Sequence, residues 1–386
     1  GDRLFAEIRT VEDFYLQVSM LAGERMQKKE NTLIFIDEIQ AYPHLLTLLK
    51  FLSQDDKFTY VASGSLLGVT LAKTTSIPIG SIRKVRMFPL DFEEFLFANG
   101  MNETVISAMR QKFDKLESLE ESMHDKMMDL FRKYLLVGGM PDAVNAYVQD
   151  KNIRSVREIQ SEIHEYYAAD ASKYEADRRL TIRRIYDMIP SNMENKKKRI
   201  VVQNIENKRG KTFRDYQEEF EYLINAGVVS SVQAISNPVF PLIESAGKNL
   251  LKLYLNDVGI LTGILYGNNI RAILDDQPSV NLGSVYETVV ANELKAHGYK
   301  LFYYDNRSKG EVDYLIDDYN SLSTVPIEVK SGKDYSIHSA LNHFVNNEDY
   351  HIKKAFVLSN ERTVQQKEKI LYIPIYYIMF FHSDAG

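Results

Sequence analysis

The apolar positions along the chain change their period twice, from α/β to helical and back. Thr32–Ile36 (TLIFI) is a short, wholly apolar run, the pattern of a strand buried on both faces of a parallel sheet. Pro43 opens a helix to about Ser53, with Leu45, Leu46, Leu48, Leu49 and Leu52 on its inner side. Phe58–Ala62 reads as the next strand and Ile82–Phe88 as a third. Asp91, with Glu94 three residues on, predicts a capping box for a helix over Phe92–Phe97. From about residue 101 to 170 the pattern is helical, broken at Gly138-Gly139 and restarted at Pro141. Short helices follow over 178–235, ending in the hairpin-like stretch Val228–Ala234. The last hundred residues return to α/β. They predict helices Ser284–His297 and Ser339–Asn346, and strands Lys300–Tyr304, Val312–Ile316, Val325–Val329, Ala355–Leu358 and Leu371–Ile378.

Composition narrows the classes. At roughly 100–200 residues per domain, a chain of 386 residues predicts two to four domains. Apolar residues at 45% and charged residues at 26% exclude wholesale disorder. There is no cysteine, which excludes disulfides, thiolate-ligated metals and a thiol nucleophile, and points to a reducing cytoplasm. The eight His residues show no metal-binding spacing. The longest apolar run, Ile370–Phe381, falls short of the about 20 residues needed to span a bilayer, so no membrane is expected. The chain opens on Gly1-Asp2 without Met, which reads as a trimmed or processed start.

Leu33-Ile34-Phe35-Ile36-Asp37-Glu38 is four apolar residues ending in two acids, the form of a Walker B strand. In that role Asp37 would hold Mg²⁺ and Glu38 would orient and deprotonate the attacking water. The same residues also suit a buried strand whose acids cap the next helix. The following strand ends in Ser63-Gly64-Ser65, whose hydroxyls would lie beside those acids and could sense a γ-phosphate.

A wider set of motifs recurs in one family. It comprises DEIQ at Asp37–Gln40, LLTLLKFL at Leu45–Leu52, SGSLLG at Ser63–Gly68 and FPLDFEEFL at Phe88–Leu96. YLLVGGMPDAV at Tyr134–Val144, Tyr167 with Asp170, and KLYLNDVGIL at Lys252–Leu261 complete it. With these the chain resembles prokaryotic AAA-type ATPases that carry a C-terminal restriction-endonuclease-like domain of unknown function. The resemblance implies an α/β multidomain protein. Its expected parts are a partial AAA-type parallel sheet over 1–100, a helical lid over 101–177, a winged helix over 178–240 and a nuclease-like α/β domain over 241–386. It also implies ATP and Mg²⁺ as cofactors.

One part of that pattern is absent. Such ATPases cradle the triphosphate in G-x-x-x-x-G-K-[ST] upstream of Walker B. The residues before Thr32 contain no such loop. The only Gly-Lys-Thr, Gly210–Thr212, has Ile205 where the first glycine belongs and follows no apolar strand, so it reads as a solvated turn. Either an N-terminal segment was removed or the gene is truncated, and in both cases ATP binding is expected only of an intact form. Gly80-Ser81 offers no arginine finger, and Arg83 and Arg86 read as structural.

A second set of acids lies near the C-terminus. Glu311-Val312-Asp313 ends a turn and begins one strand, and Glu328-Val329-Lys330 lies at the end of the next. A restriction-type nuclease needs an Asp and a Glu on adjacent strands for Mg²⁺, and a lysine two residues after the Glu on the same face. Glu-x-Lys also occurs at Glu194, Glu206 and Glu293, but only Glu328 sits in a β-rich run after an acid on a partner strand. Glu287, on the preceding helix, would complete the metal set. An inactive relative kept as a binding module fits the same residues, and Tyr303, Tyr304 and Tyr314 read as core or rim aromatics.

Between Asp170 and Arg214 stand 13 Lys/Arg and 6 Asp/Glu, a balance of +7 inside a chain of −6. Arg183, Arg184, Lys197 and Lys198 are the expected contacts to DNA or RNA, in affinity that falls with salt. A solvated helix face and an exposed loop would carry the same charges. Two functions follow: an ATPase that drives a nucleic-acid-facing nuclease-like domain, or a non-catalytic switch that binds a protein partner or a second copy of itself.

Overall fold

The computed structural model describes residues 5–64, 82–171, 178–195, 198–206, 208, 210–246, 250–275, 280, 282–306, 310–332 and 338–383. The chain forms two compact units, one over Gly1–Met87 with Asn225–Gly227, the other over the rest.

In the first unit β1 (Leu33–Ile36) and β2 (Thr59–Ala62) pair in parallel, Leu33 against Thr59 and Ile36 against Ala62. Helix α1 (Val11–Ala22) starts in a capping box between Thr10 and Asp13, and α2 (Pro43–Asp55) starts on Pro43. Phe14 and the five α2 leucines named above share one core, with Ile34, Ile36, Tyr60 and Ala62 of the sheet packed against it. Both helices therefore cover the same face. Leu33, Phe35 and Val61 point away and are 60%, 57% and 42% exposed. The expectation of a strand buried on both faces is corrected: among the described residues β1 is covered on one. The third strand expected at Ile82–Phe88 is also absent. Those residues are exposed and unpaired in any described sheet, because Arg83, Lys84 and Arg86 interrupt the apolar positions and leave no face to bury.

The second unit begins at Phe88, earlier than the expected boundary at residue 100. The reason is packing. Helix α3 (Phe92–Ala98) has the predicted Asp91–Glu94 capping box, and Phe92 sits edge-on to Phe131 with ring centroids 5.2 Å apart. Helices α4 (Glu103–Asp114), α5 (Glu121–Val137), α6 (Pro141–Asp150), α7 (Ile153–Ala171) and α8 (Arg179–Glu194) make the middle helical. Gly138 adopts φ +71°, and a Cβ there would strike the Asp257 carboxylate. That carboxylate accepts from the Gly139 amide at 2.7 Å and so locks the turn after α5.

After α9 (Gln203–Glu206) and α10 (Gln217–Asn225) come eight strands in one mixed sheet, in the order β4-β3-β5-β6-β7-β8-β10-β9. They are β3 (Val229–Ile235), β4 (Leu251–Leu255), β5 (Phe302–Asn306), β6 (Gly310–Asp318), β7 (Ser323–Val329), β8 (Ala355–Ser359), β9 (Gln365–Lys367) and β10 (Ile370–Pro374). Interleaved with them are helices α11 (Val258–Tyr266), α12 (Arg271–Leu274), α13 (Gly283–Ala296) and α14 (Ser339–Val345). Helix α13 packs on β3, β4 and β7, and α14 on β6.

The expected seam at 240–241 falls between β3 and β4, which are antiparallel partners, and β3 continues in parallel to β5. The strands a separate winged helix would use for its wing are thus members of the large sheet. Similarly, the last strand ends at Pro374 rather than at Ile378 and turns into a 3₁₀ segment, Ile375–Phe380. Among the described residues no helix is long and apolar enough to cross a membrane.

Candidate functional site

In the first unit the two parallel strands deliver their C-terminal ends side by side, the edge where α/β sheets bind ligands. The Ser63 amide donates to Ile36 O at 2.9 Å and the Ile39 amide to Ser63 O at 3.0 Å. This ladder sets the Ser63 hydroxyl against Asp37 Oδ1, to which it donates. Glu38 follows in the left-handed region at φ +52°, with its amide 3.0 Å from Asp37 Oδ1 and its carboxylate accepting from Gln40. Asp37 and Glu38 are exposed, so a ligand can reach both. Ser65 lies outside the described residues. Gly210-Lys211-Thr212 is no phosphate loop: Thr212 caps a 3₁₀ turn, Phe213–Tyr216, and Lys211 pairs with Asp215 at 3.3 Å.

In the second unit the acids gather where β4, β6, β7 and α13 meet. Phe302 of β5 faces Leu315 and Tyr304 faces Val312, so two residues of β6, Asp313 and Tyr314, stand opposite the single Tyr303. This is a β-bulge, a device that re-aims side chains next to sites. On the other edge of β6, Tyr314 pairs with Ile327. One step further along that antiparallel register stands Asp313 opposite Glu328, and Asp313 Oδ2 accepts from the Val329 amide at 2.9 Å. Lys330, two residues beyond Glu328 on the same strand face, holds Glu328 Oε1 at 2.7 Å. Glu328 Oε2 is buried and has no hydrogen-bond partner among the described residues.

Glu287 reaches the cluster from α13, whose backbone is pinned by Tyr314 Oη donating to Glu287 O at 2.7 Å. Its carboxylate is already engaged. Lys198 pairs with Oε1, while Tyr254 Oη lies 3.3 Å and Lys252 Nζ 4.0 Å from Oε2. Burial would raise Glu287, but Lys198 and Lys252 outweigh it and hold the acid below its ordinary range. Among the described residues Asp313 has no such ion pair. Its packed surroundings, then the Glu328 and Glu287 carboxylates, push it well above the ordinary range. Burial likewise raises Glu328, with Lys330 opposing.

The structure therefore brings Asp313, Glu328, Lys330 and Glu287 together. Among the described residues no three acids or histidines are placed to hold one metal ion. Asp313, which has no ion pair among the described residues, and the buried Glu328 oxygen without a described donor are the atoms that would receive a cation. Lys198 departs from its expected place in a solvated basic loop. Its ammonium is drawn into the acid cluster, with its side chain only 17% exposed, and the next residue, Arg199, pairs with Asp305 at 3.3 Å. Arg183 and Arg184 are exposed on α8, Arg183 within 3.6 Å of Asp187; Lys197 lies outside the described residues.

Two members assigned no role from the sequence, Lys252 and Glu311, pair with each other. The signal was present in the run LKLYL at Leu251–Leu255. A lysine inside a wholly buried strand demands a carboxylate partner.

Residues 4–96 match the family model described as AAA domain. The first unit is thus AAA-like, and the match points to an ATPase-type family. Beyond the AAA match, residues 128–269 match a domain of unknown function, DUF8612, and residues 282–378 a second one, DUF4143. No curated protein and no solved structure matches the chain.

Proposed function

We propose that this protein, in a form that carries a phosphate loop, couples an AAA-type nucleotide switch to a phosphodiester-hydrolysing site in its second unit. The observation that carries the reading is Asp313 set across from Glu328, with Lys330 held at 2.7 Å from the Glu328 carboxylate. Asp313 and Glu328 would hold one Mg²⁺, whose chemistry when bound is to polarise the scissile phosphate. Lys330 is held as an ammonium by Glu328, so its part is to donate to a phosphate oxygen rather than to take a proton. In the first unit Asp37 would hold Mg²⁺ for a nucleotide, Ser63 would keep Asp37 oriented, and Glu38 would direct water at the γ-phosphate. DNA or RNA would reach the second unit through the exposed arginines of α8.

A non-catalytic interaction protein is the second reading, favoured by Glu287 being spent on Lys198 and Lys252. Full-length protein incubated with DNA and RNA in Mg²⁺ and Mn²⁺ separates the two. Cleavage that disappears in Asp313→Ala, with folding retained by circular dichroism, supports hydrolysis. No cleavage by the unaltered chain with either ion and either nucleic acid removes that reading and leaves the binding module.

A further inference from the structure

Lys252 is a fully buried lysine, the second residue of β4. Its ammonium pairs with Glu311, lies 4.0 Å from Glu287 Oε2 and sits 4.7 Å from the centre of the Tyr303 ring. A charge so enclosed is tolerable only when carboxylates answer it. The three lysines of the cluster divide its acids between them: Lys330 takes Glu328, Lys198 takes Glu287, and Lys252 takes Glu311 while bridging toward Glu287. Among the described residues Asp313, half-buried, is left with a backbone donor alone, and Glu328 with one oxygen unanswered. The acids all belong to the stretch matching DUF4143, whereas Lys198 and Lys252 come from the stretch matching DUF8612.

We infer that Lys252 is a built-in counter-ion of the acid cluster: it occupies the Glu287–Glu311 side as a fixed cation, so that the cluster takes a single divalent ion, at Asp313 and Glu328. This rests on the cation reading of Asp313 and Glu328 above. Lys252 supplies one of the cluster's three covalent positive charges, and the cluster leaves room for one exchangeable charge. Lys252 is a positioning residue in this account, since it touches the acids and not the substrate.

The test is Mn²⁺ binding to the full chain, counted by electron paramagnetic resonance, with Asp37→Asn throughout to silence the acids of the first unit. One Mn²⁺ per chain, lost in Asp313→Asn, is expected. Lys252→Met, which keeps the length and removes the charge, is expected to bind a second Mn²⁺ or to hold the first at least tenfold tighter. Lys252→Gln, whose amide can still donate to Glu311, should do the same if the Met variant folds poorly. Melting provides an independent readout: Mn²⁺ should restore Tm to Lys252→Met by several degrees more than it shifts the parent. Unchanged stoichiometry, affinity and Mn²⁺-dependent Tm in both variants would overturn the role of Lys252 and leave the cation site standing. A parent chain whose Mn²⁺ is unaffected by Asp313→Asn overturns the site and the counter-ion together.

Discussion

Asp313 Oδ2 accepts a hydrogen bond from the Val329 amide at 2.9 Å, which ties the acid of β6 to the residue standing between Glu328 and Lys330. The bulge at Asp313–Tyr314 makes this possible by adding a residue to β6 opposite Tyr303. The two carboxylates are held at neighbouring strand positions by backbone geometry, before any ion is added. Their mutual repulsion is built into the sheet, and Lys330, paired with Glu328, offsets it first on that side.

The first unit has Asp37, Glu38 and Ser63 at the C-terminal ends of its two strands, but the 386 residues hold no Gly-x-x-x-x-Gly-Lys-[Ser/Thr] loop. Carboxylates can bind Mg²⁺, whereas a triphosphate needs the amides and lysine of such a loop. Calorimetry with Mg-ATP is therefore expected to show no measurable heat of binding for this chain. A micromolar Kd would mean that other residues cradle the phosphates.

Nucleic-acid binding through α8 is expected to be electrostatic. Arg183 and Asp187 form only an exposed pair, worth at most about 1 kcal/mol, so the guanidinium can turn to a phosphate. Arg183→Glu with Arg184→Glu should weaken binding to all sequences alike and flatten the dependence of log Kd on log salt. An identical slope in the variant would return both arginines to a solvated face.

What the sequence disclosed and what it hid divide by distance along the chain. The Asp91–Glu94 capping box, the Pro43 start of α2 and the Glu-x-Lys strand end are patterns within a few residues, and local geometry realises them. The pairing of Lys198 with Glu287, and of Lys252 with Glu311, joins residues many tens of positions apart. No local pattern announces such pairs, and only the buried lysine hinted that one must exist. The strand expected at Ile82–Phe88 failed for the converse reason. Its apolar positions looked local and sufficient, but no core in the described residues receives them.

Arg157 shows how the helical middle is held to the sheet-bearing half of its unit. Helix α5 ends at Val137, leaving terminal carbonyls without intrahelical donors. Arg157 Nη1 donates to Leu136 O and Gly259 O, each at 3.1 Å, and its Nε to Gly267 O at 2.9 Å. Gln160 donates to Leu136 O and Val137 O, and Thr262 Oγ1 to Leu135 O. Arg157→Met preserves bulk but takes the guanidinium donor from Gly267 O, while Leu136 O and Gly259 O keep Gln160 and Thr262, at a cost of roughly 1–3 kcal/mol. Thermal melting should show a Tm lower by several degrees at least; a Tm within a degree of the parent would show that water or Gln160 replaces the guanidinium.

Glu293 sets the expected pH dependence of stability. It lies fully buried in α13, where its carboxylate accepts from the Phe92 amide at 2.8 Å and from Tyr134 Oη at 3.2 Å. Burial, and then the nearby Asp91 carboxylate, lift it from an ordinary 4.5 to about 8, against the pull of His297. A carboxyl raised on folding binds its proton more tightly in the native state. Its stabilising effect is therefore complete below about 4.5 and is lost as pH rises through about 8. His297 acts in the same sense. Burial would lower it, but its contact with Asp91 at 3.2 Å and the Glu293 charge raise it, so stability from its proton also fades as pH climbs through the raised value. Asp91, lowered by His297 and by the Glu94 amide in spite of burial, contributes only above the acid range and stays constant here. Between pH 6.5 and 9 the second unit should thus lose stability, by an amount on the order of a few kcal/mol. Glu293→Gln keeps an acceptor for the Phe92 amide and removes the titration, so its Tm should fall less over the same range. Parallel Tm–pH curves for the parent and Glu293→Gln would show that Glu293 is already ionised in the native protein at neutral pH.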